Sequence, residues 1–504
     1  MAQVKVVLDE AIGQVNPNIF GHFIEHLGRC VYEGIYVGPD SKIPNTRGLR
    51  NDVIDALRKI RPSVLRWPGG CFADDYHWKD GIGDPAKRPR TVNINWGYSI
   101  DTNAFGTHEF IDFCRLIGAE PYICANVGTG TPQEARDWIE YCNFPGDSSL
   151  ARLRKANGSE DPFNVKYWGV GNELWGCGGS IPPGDYAIEV RRFASFMRDF
   201  GDVGIYKIAC GPRGNDPCGV RRDWVLEFFE RMQSQTLSDG CRGRVDGFAL
   251  HYYTRGAGGG GDVDFSDHEY YWLLHAALVM ERLIKQVRTA MDVYDPCRKV
   301  GLVIDEWGTW HPQAKGDSGL EQQNTMRDAV VAALHLDIFI RHADKVVMTN
   351  IAQMINVLQA LILTQGEKML LTPTYHVFDM YKQHQGGTSV RVLVDTPKAG
   401  SDGEDAIEVP QIAGSASLRD GELFLTLTNN SISDECEVQL ELLGLSIDAA
   451  TEVKIEQLAS SGVSDHNTFD DPARIRPESK VTTWDKGIVV LPPHSVTAIT
   501  VGLK

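Results

Sequence analysis

The sequence is poor in positive charge. Its 67 Asp and Glu residues outnumber 50 Lys and Arg residues, which gives a formal net charge of −17 at pH 7 over 504 residues. A polyanion such as a nucleic acid, or an anionic membrane surface, would be repelled by this excess. The charge balance therefore argues against nucleic-acid and membrane partners and favours a neutral substrate.

Long apolar runs are also missing. No run approaches the ~18 to 20 apolar residues that cross a bilayer. Residues 1–13 lack the basic start and the apolar stretch of a signal peptide. We therefore expect a cytoplasmic protein.

Paired cysteine motifs are absent as well. The 11 cysteines are scattered from Cys30 to Cys436, and no two of them form a C-x-x-C pair. An odd, dispersed set is typical of reduced, mostly buried thiols rather than of a disulfide framework or a zinc ribbon.

What the sequence does contain is a repeated alternation of apolar strands and amphipathic helices. Strands are predicted at 19–25, 63–67, 121–126, 165–170, 206–210, 245–251, 302–304 and 346–351. Helices are predicted at 49–60, 109–117, 133–141, 186–200, 223–232, 268–293, 322–341 and 375–384. Eight such units predict one (β/α)8 TIM barrel over residues 14–385, with an open doubly wound α/β sheet as the alternative.

The pattern changes after residue 385. Residues 386–504 alternate apolar and polar side chains at period two, with turn residues between the runs. This predicts an all-β, jelly-roll-like sandwich. Residues 1–13 read as one strand that needs a sheet to join, so we place this N-terminal strand in the same domain.

Two of the barrel strands end in a glutamate. The run V-K-Y-W-G-V from Val165 leads into Gly171, Asn172 and Glu173, and G-L-V-I from Gly301 leads into Asp305 and Glu306. The carboxyl ends of barrel strands form the functional face. Two carboxylates that face one sugar-sized pocket indicate glycoside hydrolysis, in which one protonates the leaving oxygen and the other attacks the anomeric carbon.

The surroundings of the two glutamates suggest different roles. An attacking carboxylate must stay ionised, and Glu306 follows Asp305 on the seventh strand. Glu173 lies between Asn172 and the apolar pair Leu174 and Trp175, where partial desolvation would favour its protonated, acidic form.

Further polar residues follow the other predicted strands. They are Glu25, Cys71, Asn126, His251 to Tyr253, and Gln353. Any one of them alone is better explained as a solvated loop residue, but together they indicate a pocket. Trp175, Trp307 and Trp310 gain weight as pocket residues only because they flank the two carboxylates.

Seven motifs carry a resemblance to a known family. They are I-F-G-H-F-I-E-H-L-G-R-C from Ile19, L-R-W-P-G-G from Leu65, W-K-D-G-I-G from Trp78, E-P-Y-I from Glu120, Y-W-G-V-G-N-E from Tyr167, D-E-W from Asp305 and N-I-A-Q-M-I-N-V from Asn350. In these motifs, and along both domains, the chain closely resembles the α-L-arabinofuranosidases of glycoside hydrolase family 51.

The resemblance implies a retaining exo-enzyme that releases terminal α-L-arabinofuranose from arabinoxylan, arabinan and arabino-oligosaccharides. It implies Glu173 as acid/base and Glu306 as nucleophile, with no metal or organic cofactor, in a homo-oligomer that could be a hexamer. The implied substrate-binding residues are Glu25, Asn172, Tyr253 and Gln353 around the sugar, with Trp96 and Trp310 shaping the pocket or its aglycone side. Cys71 stands where family members commonly carry an Asn that binds a ring hydroxyl, and a thiol is a weaker hydrogen-bonding group.

Several alternatives remain open. An endo-acting glucanase or a xylosidase could use the same scaffold, and a non-catalytic carbohydrate-binding protein would keep the aromatic residues without needing both glutamates. His22 to His26 matches the H-x-x-E-H motif of some zinc peptidases, but the stretch reads as strand rather than helix. Residues 256–261 match G-x-G-x-x-G, which we interpret as a glycine-rich lid, and Cys71 could be a nucleophile, although a packed or substrate-touching thiol is favoured.

Overall fold

A computed structural model describes residues 1–215, 221–233, 244–255, 259–484 and 486–503. Eight strands form a closed barrel in which each strand pairs in parallel with the next and the eighth pairs with the first. In chain order the barrel strands are Gly21–Phe23, Val64–Trp67, Glu120–Ala125, Tyr167–Val170, Tyr206–Ala209, Gly247–Thr254, Gly301–Thr309 and Val346–Ala352. This closed order confirms the predicted TIM barrel. Closure pairs the backbone hydrogen-bonding groups of every strand, so the sheet has no open edge.

The described helices are Asn51–Ile60, Thr107–Ile117, Pro132–Asn143, Ser149–Ala156, Pro183–Phe196, Arg222–Gln233, Asp267–Tyr294, Met326–Arg341 and Pro373–Tyr381. The sequence did not predict the short helix Ser149–Ala156. The helix predicted to begin at residue 322 begins at Met326. Thr325 and Asp328 form a capping box there, which satisfies the first free backbone N–H groups and fixes the start of the helix.

The seventh barrel strand is longer than predicted. It was expected to end at Ile304, but it runs to Thr309 and therefore includes Glu306. Its extra length is held by the sixth strand, where His251 lies opposite Glu306 and Thr254 opposite Thr309. Period-two alternation cannot reveal this extension, since the strand is buried on both faces.

The C-terminal residues and the N-terminal strand build a nine-stranded sheet with a hydrophobic core of its own. Its strands are Ala2–Gln14, Thr388–Asp395, Ile412–Arg419, Glu422–Asn429, Cys436–Leu443, Glu452–Leu458, Glu478–Thr483, Ile488–Leu491 and Ser495–Gly502. The N-terminal strand pairs antiparallel with Thr388–Asp395 and parallel with Cys436–Leu443. The predicted fold class, a barrel and an all-β domain joined by the N-terminal strand, is confirmed, while the boundaries at residues 13/14 and 385/386 stay a prediction.

The helix Met326–Arg341 lies between the barrel and the all-β domain. Residues 326–340 are all buried, which explains why this helix is apolar around most of its circumference. Asp337 on this helix accepts hydrogen bonds from Tyr381, Ser415 and Thr426. The two domains therefore share a packed and hydrogen-bonded interface.

Four short antiparallel strand pairs complete the part of the fold that the structure describes. They pair Asn45–Thr46 with Leu49–Arg50, Thr91–Asn93 with Ser99–Asp101, Ile362–Gln365 with Lys368–Leu371, and Lys398–Gly400 with Glu408–Pro410. The second of them, residues 91–101, carries Trp96 at its turn. Across the described ranges, the helices are too short or too polar to cross a membrane.

Candidate active site

A pocket of about 270 Å³ opens among the carboxyl ends of the barrel strands. It brings together all nine residues that the sequence singled out as catalytic or substrate-binding: Glu25, Cys71, Trp96, Asn172, Glu173, Tyr253, Glu306, Trp310 and Gln353. Trp175 and His251, which the sequence placed among the residues around a pocket, also line it. Arg213, Asn215 and Arg255 line it as well, and the sequence did not single them out.

Glu306 lies at the bottom of this pocket, with its side chain only 5% exposed. Its Oε1 accepts a hydrogen bond of 2.9 Å from Arg66 Nη1, and its Oε2 accepts one of 2.6 Å from the hydroxyl of Tyr253. Burial opposes ionisation, but the charges of His251 and Arg66 and these hydrogen bonds outweigh it and hold the pKa of Glu306 below its usual value. Glu306 is therefore ionised at neutral pH.

Glu173 faces Glu306 from the end of the fourth strand. Its φ of +45° lies in the left-handed region, which side chains other than Gly rarely adopt. At 17% exposure its side chain is closer to the pocket opening than that of Glu306. One oxygen of Glu173 and one of Glu306 lie within 4.8 Å of each other.

His251 links the two carboxylates. Its Nδ1 lies 2.9 Å from Glu173 Oε1 and 3.5 Å from Glu306 Oε1. Although burial lowers the pKa of His251, the charges of Glu306 and Glu173 outweigh that effect and raise it. The sequence placed His251 at a strand end but gave no reason to pair it with either glutamate.

Arg66 is the main functional residue that sequence reasoning missed. It points into the barrel from the second strand, where it donates to Glu306 and to Asn172 Oδ1. Its burial is offset by the charges of Asp305 and Glu306, which raise the pKa of Arg66 well above its usual value. The sequence did contain a signal for it, an arginine within the apolar strand L-R-W. A buried charge is almost always paired with an opposite charge, so this arginine indicated a carboxylate partner.

Glu25 is the third carboxyl group in the pocket, and it has hydrogen-bond partners of its own. It accepts hydrogen bonds from the indole of Trp96 at 3.0 Å, the amide of Gln353 at 3.1 Å and the backbone N–H of Phe72 at 3.0 Å. Burial raises the pKa of Glu25 to about 7 despite the Phe72 hydrogen bond. Gly69 allows this close packing, because a Cβ there would lie 2.5 Å from Glu25 Cγ.

Cys71 differs from its prediction. It forms a disulfide with Cys177, so the expectation that the cysteines are reduced thiols is wrong for this pair. Seven other cysteines in the described ranges are free, and of these only Cys297 is exposed. The pairing joins the loops after the second and fourth strands across 106 residues, a proximity that only barrel closure creates.

Two other strand-end residues lie away from the pocket. Asn126 binds the backbone of Tyr76 and the hydroxyl of Thr129, and so stabilises its own loop. Trp307, proposed as a pocket residue, is fully buried in the core and donates to Thr349. Successive residues of a strand point to opposite sides, so Trp307 must point away from the pocket that Glu306 enters.

The histidines of the H-x-x-E-H motif occupy different environments. His22 is buried against Phe378, with 4.9 Å between ring centroids, and burial lowers its pKa to about 3. His26 Nδ1 lies 2.6 Å from Asp101, and its Nε2 accepts from the indole of Trp67. Neither ring is placed with Glu25 around a common point. The glycine-rich lid proposed for residues 256–261 falls partly on 256–258, outside the described residues.

Two groups in the described ranges bring three metal-ligating side chains together: Cys71, Glu173 and Cys177, and Glu173, His251 and Glu306. The two sulfurs of the first group are joined in the disulfide. In the second group, His251 is paired with Glu173, and Glu306 is paired with Arg66. We therefore expect activity to be unchanged after overnight dialysis against a strong chelator. A loss of activity that added zinc restores would instead support a metallohydrolase.

Comparisons with known proteins identify the family of this chain. Residues 56–230 match the family model described as "Alpha-L-arabinofuranosidase 1 domain", and residues 305–495 match "Alpha-L-arabinofuranosidase C-terminal domain". The chain is 41% identical to the "Intracellular exo-alpha-L-arabinofuranosidase" of Bacteroides ovatus, over 99% of this chain and 95% of that protein.

Two solved structures are similar over the full length. A family 51 arabinofuranosidase of Xanthomonas axonopodis pv. citri has a TM-score of 0.91 and 42% identity, covering 99% of this chain and 100% of that one. A thermostable family 51 enzyme of Thermotoga petrophila has a TM-score of 0.86 and 31% identity, with the same coverage. The chain therefore belongs to glycoside hydrolase family 51 and is an α-L-arabinofuranosidase.

Proposed function

We propose that the protein is a retaining exo-glycosidase, with Glu306 as nucleophile and Glu173 as acid/base. One observation carries the proposal: an oxygen of Glu173 and one of Glu306 lie within 4.8 Å of each other. Retaining glycosidases hold their carboxyl groups ~5 to 5.5 Å apart, whereas inverting enzymes leave ~6.5 to 9.5 Å for a water molecule.

In the first step, Glu306 Oε attacks the anomeric carbon while Glu173 gives its proton to the departing glycosidic oxygen. The new ester bond joins the sugar to Glu306, and the aglycone leaves as a neutral alcohol. Arg66 and Tyr253 hold the attacking carboxylate ionised and oriented before the reaction. As Glu306 loses its charge, the hydrogen bond from Tyr253 weakens.

In the second step, the ionised Glu173 takes a proton from a water molecule, and the resulting hydroxide attacks the same carbon. The ester bond to Glu306 breaks, and arabinose leaves with its original anomeric configuration. His251 lies close to both carboxylates, so it can interact with ionised Glu306 before the first step and with ionised Glu173 after it. We infer that it stabilises whichever glutamate is ionised.

The pocket supports exo action. Its volume of about 270 Å³ is at the small end for ligand sites and suits one furanose ring. Glu25, Cys71, Asn172, Tyr253 and Gln353 would contact that ring, and Trp96 and Trp310 would bound it. An endo-acting glucanase needs a cleft open at both ends, and a carbohydrate-binding protein needs no charged network around two glutamates.

Terminal α-L-arabinofuranosyl groups of arabinoxylan, arabinan and arabino-oligosaccharides are the proposed substrates. The relative from Bacteroides ovatus is named an intracellular exo-enzyme, which supports a cytoplasmic location and exo action for this chain. A homo-oligomer, expected from the family resemblance, remains a proposal.

Product stereochemistry tests the mechanism. We expect NMR of a fresh digest of 4-nitrophenyl α-L-arabinofuranoside to show the α-anomer of arabinose before mutarotation. Methanol added as a competing acceptor should give methyl α-L-arabinofuranoside. A first product with the β configuration would refute the retaining mechanism, and faster release from an aryl xyloside or glucoside would favour the alternative activities.

A further inference from the structure

One cation in the pocket has no role in the proposed mechanism. Arg255 follows the sixth barrel strand, lines the pocket and is exposed at its opening. Its guanidinium carbon lies 3.8 Å from the ring centroid of Trp310 and 5.5 Å from that of Tyr253. The face of the guanidinium is therefore covered by an indole.

The stacking leaves the N–H edge of Arg255 available. A guanidinium on an aromatic ring keeps its planar fork of donors directed outward, and that fork matches a carboxylate in two parallel hydrogen bonds. Within the described ranges, Arg255 takes part in no hydrogen bond or ion pair with another side chain. The Trp310 ring therefore positions the Arg255 side chain, and the guanidinium N–H groups remain available as hydrogen-bond donors.

The pocket carboxylates make no hydrogen bond or ion pair with Arg255, although the charges of Glu173 and Glu306 act on its guanidinium. Glu306 is bound by Arg66 and Tyr253, Glu173 lies against His251, and Glu25 is bound by Trp96 and Gln353. Arg255 is therefore a cation at the pocket opening whose donors are not engaged by these three carboxylates, and it favours an anionic group there.

We propose that Arg255 binds a carboxylate on the aglycone, so that the enzyme favours arabinofuranose attached to a hexuronic acid residue. The inference rests on the proposed function, in which the arabinose occupies the buried part of the pocket. The aglycone then extends through the opening, past Trp310 and Arg255. The carboxylate of a hexuronic acid is planar and permanently ionised at neutral pH, as the fork of Arg255 requires.

The test compares two substrates that differ in one negative charge and one methyl group. One is a methyl hexuronoside carrying a single α-L-arabinofuranosyl group, and the other is its uronic methyl ester. We expect kcat/KM for the acid to exceed that for the ester by about fivefold at low ionic strength, as for one exposed ion pair. The preference should shrink as salt is added.

Variants assign the preference to one side chain. Arg255→Gln should bring the ratio of acid to ester close to one, and Arg255→Lys should retain part of it, since it keeps the charge but loses the fork. Arg115→Gln is the matched control, because Arg115 is also an exposed arginine over an aromatic ring, 5.5 Å from Phe163 and outside this pocket. It should keep the wild-type ratio.

Two results would overturn the proposal: a wild-type ratio at or below one, or an unchanged ratio in Arg255→Gln. Taking a ratio within each variant cancels any general loss of activity, so a damaged fold cannot imitate the expected result. The ratio is also independent of product stereochemistry. An inverted product would therefore refute the retaining mechanism while the ratio still decided the role of Arg255.

Discussion

Replacing Glu306 with alanine should lower kcat/KM for every arabinofuranoside by a factor of about 10⁴ or more, as expected when a covalent nucleophile is removed. No glycosyl ester can form without this carboxylate. Aryl substrates with good leaving groups should be affected as strongly as oligosaccharides, because bond formation to the enzyme is lost in both. Steady-state rates on 4-nitrophenyl arabinofuranoside and on an arabino-oligosaccharide measure the effect.

The loss of Glu306 also leaves the buried charge of Arg66 with one partner fewer, so stability must be measured beside activity. Glu306→Gln keeps the shape of the side chain and should be equally inactive. Glu281→Ala is a suitable control, because Glu281 is likewise paired with an arginine and a histidine, Arg341 and His342, but lies outside the pocket. Near-wild-type turnover by Glu306→Ala would disprove its role as nucleophile.

Replacing Glu173 with alanine should separate substrates by leaving group. Those with poor leaving groups should slow by about 10² to 10⁴, the range that general acid catalysis contributes. Substrates whose leaving group departs as a stable anion should form the glycosyl-enzyme at nearly the normal rate. Hydrolysis of that intermediate then becomes limiting, which pre-steady-state release of 4-nitrophenolate should show as a burst.

Azide provides the second measurement on Glu173→Ala. It attacks without needing a general base, so it should accelerate the variant and yield an α-L-arabinofuranosyl azide. The wild type, which has its base, should gain no comparable rate. Equal impairment on all leaving groups, together with indifference to azide, would contradict the assignment of Glu173 as acid/base.

Much of the architecture could be predicted from the sequence because its signals are local. Eight apolar runs alternating with helical patterns predicted the barrel, and the change to period two after residue 385 predicted the all-β domain. Because the carboxyl ends of barrel strands lie on one face, the residues that follow the predicted strands could be predicted to line one pocket. Glu173 and Glu306 could be paired in this way, although 133 positions separate them in the chain.

The sequence by itself determined which residues reach the carboxyl ends of the barrel strands, since that depends on the order of strands and helices. Only the tertiary structure decided what each residue meets there. It placed Arg66 against Glu306, His251 between the two carboxylates, and Cys71 within bonding distance of Cys177. It also turned Trp307 into the core and brought Trp96 to Glu25 on an unpredicted hairpin. These contacts join segments far apart in the chain, so they depend on barrel closure and strand register, which local periodicity does not encode.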